Sequence, residues 1–212
     1  MTEPGEIRRE PLRDRRWFLR HGVPVAVLVL HSAKAAGAEQ AGTVEEIKGE
    51  AFAAAANVRR TLDREAAIFL GDDVGTERES RLSMRLGRDT TIRLGEQARV
   101  KIERYLVDAG GEIVLQAGPL LFDRPPGRPP ASVQIRSPFA LIAVRGTRFF
   151  AGPSNGRFGV FVERGSVEVA AARQQVVLRE GEGTDIAFPG AGPTRVRRWL
   201  PARIRAALES VS

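Results

Sequence analysis

The chain has 212 residues, of which 33 are Lys or Arg and 26 are Asp or Glu, and it contains no Cys. This length allows one domain with a sizeable core, and 42% apolar residues is not the composition of a disordered chain. Both histidines, His21 and His31, lie in the first 38 residues. The rest of the chain therefore lacks the side chains of a Ser/His/Asp triad, a Cys nucleophile or a zinc site with nitrogen and sulfur ligands. Carboxylate chemistry, metal binding by oxygen ligands and a function without catalysis remain open.

Residues 1–38 have the layout of an export signal. Arg15 and Arg16 are followed by an apolar stretch of nine residues at 22–30 and then by a run of small residues. This order resembles the twin-arginine signal, although Asp14 stands where that signal usually has Ser or Thr. A membrane-spanning helix needs about 20 apolar residues. We therefore expect cleavage after Ala38 and a periplasmic protein that does not span the membrane; retention of the segment as an anchor is the alternative.

Residues 39–189 consist of short apolar/polar alternations that Gly, Pro, Asp or Asn interrupt every eight to twelve residues. Leu82, Met84 and Leu86, for example, fall on one face of a strand because neighbouring strand side chains point to opposite faces. This spacing predicts an all-β domain of many short antiparallel strands, in a sandwich-like or coiled stack. The predicted strands cover residues 43–51, 81–86, 90–94, 99–107, 112–117, 133–135, 140–144, 159–162, 166–170, 175–178 and 184–188.

Two segments depart from the strand pattern. Residues 123–130 contain four prolines, which cannot donate a ladder of hydrogen bonds, and predict an exposed connecting loop. The tail at 190–212 predicts a short amphipathic helix with Pro201 in its first turn. Its apolar face would consist of Leu200, Ile204, Leu208 and Val211. We expect Trp199 to dock this helix on the sheets.

Several motifs together resemble the FecR protein domain over about residues 42–188. The most specific are Val144-Arg145-Gly146-Thr147 followed by Phe149, the run 162–169, and Leu178 leading to Gly181 and Glu182. The runs 71–76 and 89–95 add turn motifs. Two departures are Asp89-Thr90-Thr91, where the family usually has Asp-Gly-Thr, and Arg164-Gly165, where it usually has Glu-Gly.

The resemblance implies an all-β domain of periplasmic signal transducers and other exported proteins. In those transducers a cytoplasmic sigma-regulating domain and a membrane helix precede the FecR domain, and a receptor-contacting domain follows it. Only 38 residues precede the domain here and about two dozen follow it. We therefore expect this chain to lack both additional domains.

Arg145, Gly146, Thr147 and Phe149 are candidate fold-signature or contact residues. Arg145 lies among small and apolar strand residues, where burial of its charge requires a partner. We expect a structural arginine that donates to backbone carbonyls or to a carboxylate such as Glu163 or Asp185. Contact with an anion or a partner protein is the alternative. Phe149 and its neighbour Phe150 should face opposite sides of one strand.

Asp72 and Asp89 are the remaining candidates. With Asp73 and Glu96 they could form a catalytic carboxylate pair or a calcium site. Each also lies at a predicted turn, where Asp is favoured for backbone reasons alone. We favour the turn interpretation, and we expect contacts with partners at the loops 72–80 and 123–130 and at the terminal helix.

These observations favour a periplasmic, non-catalytic binding protein of the FecR-domain type, without cofactor or metal. Its partner would be an envelope protein or a cell-surface polymer. Nucleic acid is not expected, because Asp and Glu alternate with Arg along most segments. The alternative is a component of a cell-envelope signal-transduction relay that regulates a sigma factor.

Overall fold

Eighteen strands and one helix make up the part of the chain that the structure describes. The structure is a computed structural model that describes residues 39–106, 110–126, 132–144 and 146–212. The export segment at 1–38 and the candidate residue Arg145 lie outside the described residues. The elements are β1 (Gln40–Lys48), β2 (Ala51–Ala55), β3 (Val58–Thr61), β4 (Ala67–Phe69), β5 (Asp73–Thr76), β6 (Arg81–Leu86), β7 (Thr90–Leu94), β8 (Arg99–Leu106), β9 (Gly110–Ala117), β10 (Leu120–Asp123), β11 (Ser132–Arg136), β12 (Leu141–Val144), β13 (Arg148–Ser154), β14 (Arg157–Arg164), β15 (Ser166–Ala171), β16 (Gln174–Arg179), β17 (Glu182–Ile186), β18 (Arg197–Arg198) and α1 (Pro201–Glu209).

The strands form two sheets of nine strands each. The first has the order β18-β17-β14-β13-β10-β7-β6-β1-β4, and the second has the order β16-β15-β12-β11-β9-β8-β5-β2-β3. Neighbouring strands are antiparallel, except that β9 and β11 are parallel. The chain passes repeatedly from one sheet to the other, usually after a hairpin. This all-β sandwich with a short C-terminal helix confirms the predicted fold class.

One hydrophobic core lies between the two sheets. Leu82, Met84 and Leu86 are at most 1% exposed, and the core also contains Val74 and Ile113 from the second sheet. Side chains of alternate residues therefore point inward, as the period of two in the sequence predicts. Burial of this face supplies most of the driving force for folding.

Three strand boundaries differ from the prediction. The predicted strand 43–51 is two strands, because Gly49 adopts a φ of 78° and turns the chain between β1 and β2. The segment 72–80, predicted as a contact loop, contains β5, which pairs with β2 and β8. The predicted loop 123–130 begins inside β10, and Arg124 is buried at 4% exposure; residues 127–130 lie outside the described residues.

The C-terminal helix packs on the outer face of the first sheet. α1 begins with Pro201 in its first turn, as predicted. Val211 is buried, and Ile204 and Leu208 pack against the same cluster. Leu200, which was predicted to share this face, is instead 75% exposed because it lies in extended backbone before the helix begins. Among the described residues, no helix is both long and apolar enough to cross a bilayer.

Candidate functional site

The Gly146-Thr147 motif forms the turn between β12 and β13. Gly146 has a φ of 61°, which favours glycine. The Thr147 hydroxyl is fully buried and donates to the carbonyl of Ser166 at 3.0 Å. The carbonyl of Thr147 accepts from the backbone N–H of Arg124 at 3.0 Å. Thr147 therefore ties β10, β13 and β15 together, which is a structural role.

The two phenylalanines after this turn point to opposite faces of the first sheet, as predicted. Phe149 is fully buried in the core between the sheets and contacts Phe122 at a ring-centroid distance of 5.5 Å. Phe150 is also fully buried, but in a second hydrophobic cluster between the first sheet and α1. This second cluster consists of Leu121, Phe150, Phe161, Trp199, Ala207 and Val211. Neither ring is available to a partner in this structure.

A network of charged side chains lies beside the Gly146-Thr147 turn. Arg148 donates through Nη1 to Asp123 and through Nε to Glu163, both at 2.7 Å. Arg164, which faces Arg148 across the β13–β14 pair, donates to the other oxygen of Asp123 at 2.8 Å. Asp123 thus separates two like charges that would repel each other if left opposite one another without a counter-charge.

Arg148 is held in its charged form by this network. Partial burial by itself lowers the pKa of Arg148, but the hydrogen bonds and charges of Glu163 and Asp123 outweigh that effect and raise the pKa above its ordinary value. We call the network of Asp123, Arg148 and Arg164 the charged clamp, because it joins β10, β13 and β14. The sequence did not predict it.

The carboxylates expected to pair with Arg145 have other partners. Glu163 accepts from Arg148, and Asp185 accepts from Arg203.

Asp72 belongs to the turn between β4 and β5. Its side chain is buried, and Oδ2 accepts from the backbone N–H of Phe69 at 2.8 Å and forms an ion pair with Arg60. The guanidinium of Arg60 lies 5.4 Å from the Phe69 ring centroid. Asp72 thereby fixes the turn, in agreement with the turn interpretation. Asp89 lies in a separate turn between β6 and β7.

The described residues contain no group of three or more His, Cys, Asp or Glu side chains that could hold a metal ion. Asp72 is directed at Arg60, and Glu96 accepts from the backbone N–H of Glu79 at 3.2 Å. Asp72 and Glu96 are therefore bound to neighbouring groups of the protein itself.

An apolar cavity of about 370 Å³ opens at one end of the sandwich. Its wall includes Phe139 and Phe158, whose rings stack with centroids 4.6 Å apart and an interplanar angle of 3°. Leu115, Ala117 and Pro138 complete much of the apolar lining. A cavity of this size and character is suited to a small apolar ligand.

Trp199 attaches the C-terminal helix to the first sheet. The indole is 7% exposed and stacks on Phe161 at a centroid distance of 5.1 Å. It passes so close to Gly159 and Gly183 that a Cβ there would lie 2.8 Å and 2.2 Å from ring atoms of Trp199. The guanidinium of Arg203 covers the ring at 3.6 Å. Trp199 therefore docks the helix, as predicted.

Two crystal structures of a candidate anti-sigma factor from Parabacteroides distasonis ATCC 8503, at 1.65 and 2.50 Å resolution, share this fold. Each superposes with a TM-score of 0.52 and 15% sequence identity, over 64% of this chain. The aligned region spans 64% and 63% of the two solved chains, less than two thirds of either. No curated protein matches the chain in sequence.

The strongest comparison is with a protein family. Residues 72–168 match the FecR protein family. This range contains Asp72, Asp89, Phe149 and the Gly146-Thr147 turn, on which the resemblance in the sequence rests. This match confirms the FecR resemblance over residues 72–168, from the residue before β5 into β15.

Proposed function

We propose that the protein is a component of a cell-envelope signal-transduction relay that regulates a sigma factor, and that it acts by binding rather than by catalysis. The observation that carries this proposal is the FecR match over residues 72–168. The fold shared with the candidate anti-sigma factor of P. distasonis is consistent with it. Of the two functions that the sequence left open, the relay is thus the better supported.

The polar groups of the matched range favour a role without catalysis. Asp72, Asp123 and Glu163 are each bonded to an arginine of the same chain. A carboxylate pair for general acid and base work needs two different environments in one cleft. The contacts of these three carboxylates instead join strands and turns.

The relay proposal includes a periplasmic location after export by the twin-arginine route. It is supported by the order of the basic, apolar and small-residue regions in residues 1–38. A folded sandwich of eighteen strands is a suitable cargo for a route that exports proteins already folded.

The test combines gene deletion with measurement of sigma-dependent transcripts in the source organism. We expect deletion to change the transcripts of one sigma-factor regulon and the wild-type gene to restore them. An Arg15→Lys/Arg16→Lys variant should fail to restore them, whereas an Arg8→Lys/Arg9→Lys control should succeed. Unchanged transcripts after deletion would refute the relay. Restoration by the Arg15→Lys/Arg16→Lys variant would refute the export route and leave the relay standing.

A binding module without a relay is the second candidate function, and the apolar cavity beside Phe139 and Phe158 is the observation that favours it. Such a module would bind a small apolar ligand, or an apolar group of an envelope polymer, between the two sheets. Titration with a fluorescent hydrophobic probe tests this function. Absence of probe binding at millimolar concentration would exclude it.

A further inference from the structure

A second cavity, of about 400 Å³, lies on the helix side of the first sheet. It is bordered by the β13–β14 turn, by β17 and β18, and by the start of α1. We call it the arginine cavity because five arginines line it: Arg157, Arg195, Arg197, Arg198 and Arg203. Among the described residues that line it, Asp185 is the one carboxylate.

Asp185 is already neutralised by one of these arginines. Arg203 donates through Nη1 to Asp185 at 3.2 Å, and its Nη2 contacts the second carboxylate oxygen. The other four guanidinium groups form no ion pair with any described residue. Glu182 lies opposite Arg198 in the β17–β18 pair, but its carboxylate accepts from the backbone N–H of Arg179 at 2.8 Å. Within the described part of the chain, the arginine cavity thus holds four positive charges without a paired counter-charge.

The backbone anchors two of these arginines in β18, at the edge of the first sheet. Arg197 and Arg198 form β18, which pairs with β17 through Gly183 and Glu182. The next residue, Trp199, is buried, so the chain cannot easily swing the arginines away from the sheet. The first turn of α1 carries no acidic residue and its N-cap has no side-chain hydrogen bond. The positive end of the helix therefore adds to the same field.

We propose that the arginine cavity binds a multiply charged phosphorylated anion, carrying a pyrophosphate group or two phosphate monoesters. A guanidinium group donates two parallel hydrogen bonds to phosphate, which makes Arg the preferred residue for this recognition. A phosphate monoester carries a charge of about −1.5 to −2 at pH 7, so two of them balance four arginines. The cavity volume of about 400 Å³ falls in the range of small-ligand sites. This inference does not depend on the relay, and each can fail without the other.

The test is calorimetric titration of the full-length chain with pyrophosphate and with tripolyphosphate. We expect binding at one site that weakens as ionic strength rises. Arg197→Gln/Arg198→Gln should reduce the affinity by about tenfold or more, because it removes two charged donors. The matched control is Arg64→Gln/Arg78→Gln, which removes the same charge from exposed arginines outside the cavity and should leave the affinity unchanged. Equal melting temperatures of the two double variants would show that both are folded.

Vesicles distinguish the source of the phosphate. Binding to vesicles that contain phosphatidic acid, whose headgroup is a phosphate monoester, but not to phosphatidylcholine vesicles, lost in Arg197→Gln/Arg198→Gln, would assign a lipid headgroup. Pyrophosphate binding without vesicle binding would assign a soluble anion. The proposal is overturned if pyrophosphate does not bind at millimolar concentration or if both double variants bind it equally. Tighter binding of citrate, polyglutamate or a DNA duplex than of tripolyphosphate would also overturn it.

Discussion

Trp199→Ala tests whether the C-terminal helix is an integral part of the fold. The indole is buried between α1 and the first sheet, where it stacks on Phe161 and lies edge-on to Phe150 at a centroid distance of 6.4 Å. The substitution removes both aromatic contacts and the cation–π contact with Arg203. The substitution thereby weakens the attachment of α1 to the first sheet, while Ala207 and Val211 keep their places in the same cluster.

The expected loss in the free energy of unfolding depends on how far neighbouring residues can move into the space that the indole leaves. Trp→Ala in a packed core costs about 3–5 kcal/mol, with the larger values where a cavity persists. Gly159 and Gly183 form the floor beneath the indole and have no side chain to move into the space. We therefore expect a loss near the upper end of that range. For a domain of this size it corresponds to a melting temperature lowered by roughly 10–20 °C.

Urea denaturation followed by circular dichroism measures this loss, since the substitution removes a fluorophore. Leu200→Ala is the control, because Leu200 is the next residue and is 75% exposed. It should change the free energy of unfolding by no more than about 0.5 kcal/mol. If Trp199→Ala cost less than about 1 kcal/mol, or no more than Leu200→Ala, the helix would not be held in the way the structure shows.

Three further substitutions test other contacts. Gly183→Ala should lower the free energy of unfolding by about 1–3 kcal/mol, because its Cβ would lie 2.2 Å from the Trp199 indole nitrogen and 2.7 Å from the Val160 carbonyl oxygen; in a Trp199→Ala background the same change should cost less, because only the contact with Val160 remains, and equal costs would contradict the contact with Trp199. Asp72→Asn should cost about 1–3 kcal/mol in urea denaturation, since it removes the charge that pairs with the Arg60 guanidinium, and a cost indistinguishable from zero would contradict a structural role. Ala117→Phe should abolish binding of a fluorescent hydrophobic probe by filling the apolar cavity, and undiminished binding would place the probe elsewhere.

Alternation of apolar and polar residues was sufficient to predict the fold class and most of the longer strands. Arg81–Leu86 is an example, because one face of β6 is buried and the other is not. The predicted strands did not include β3, β4, β5, β10, β13 and β18, although Phe149 and Phe150 of β13 were expected to share one strand. In β10 Leu120, Leu121 and Phe122 are all buried, because the core covers one face of this strand and α1 covers the other. A strand buried on both faces has no period of two to detect.

The functional residues were harder to predict than the fold. The Gly146-Thr147 motif was found, but the charged clamp of Asp123, Arg148 and Arg164 depends on the registers of β10 with β13 and of β13 with β14. No spacing along the chain reveals a register between strands that far apart. The arginine cavity did leave a local signal, the run Arg195-Val196-Arg197-Arg198. The run alone does not predict an anion site, because it is the fold that brings Arg157 to the same cavity and pairs Asp185 with Arg203.

The family match and the arginine cavity bear on different parts of the chain. The matched range ends at residue 168, and within it Asp72, Asp123 and Thr147 join strands and turns. Most of the arginine cavity is formed after that range, by β17, β18 and the start of α1. Similarity over the matched range therefore indicates the framework, but it does not predict an anion site. Because the cavity depends on the docked helix, Trp199→Ala should weaken pyrophosphate binding as well as stability, whereas Asp72→Asn should affect stability alone.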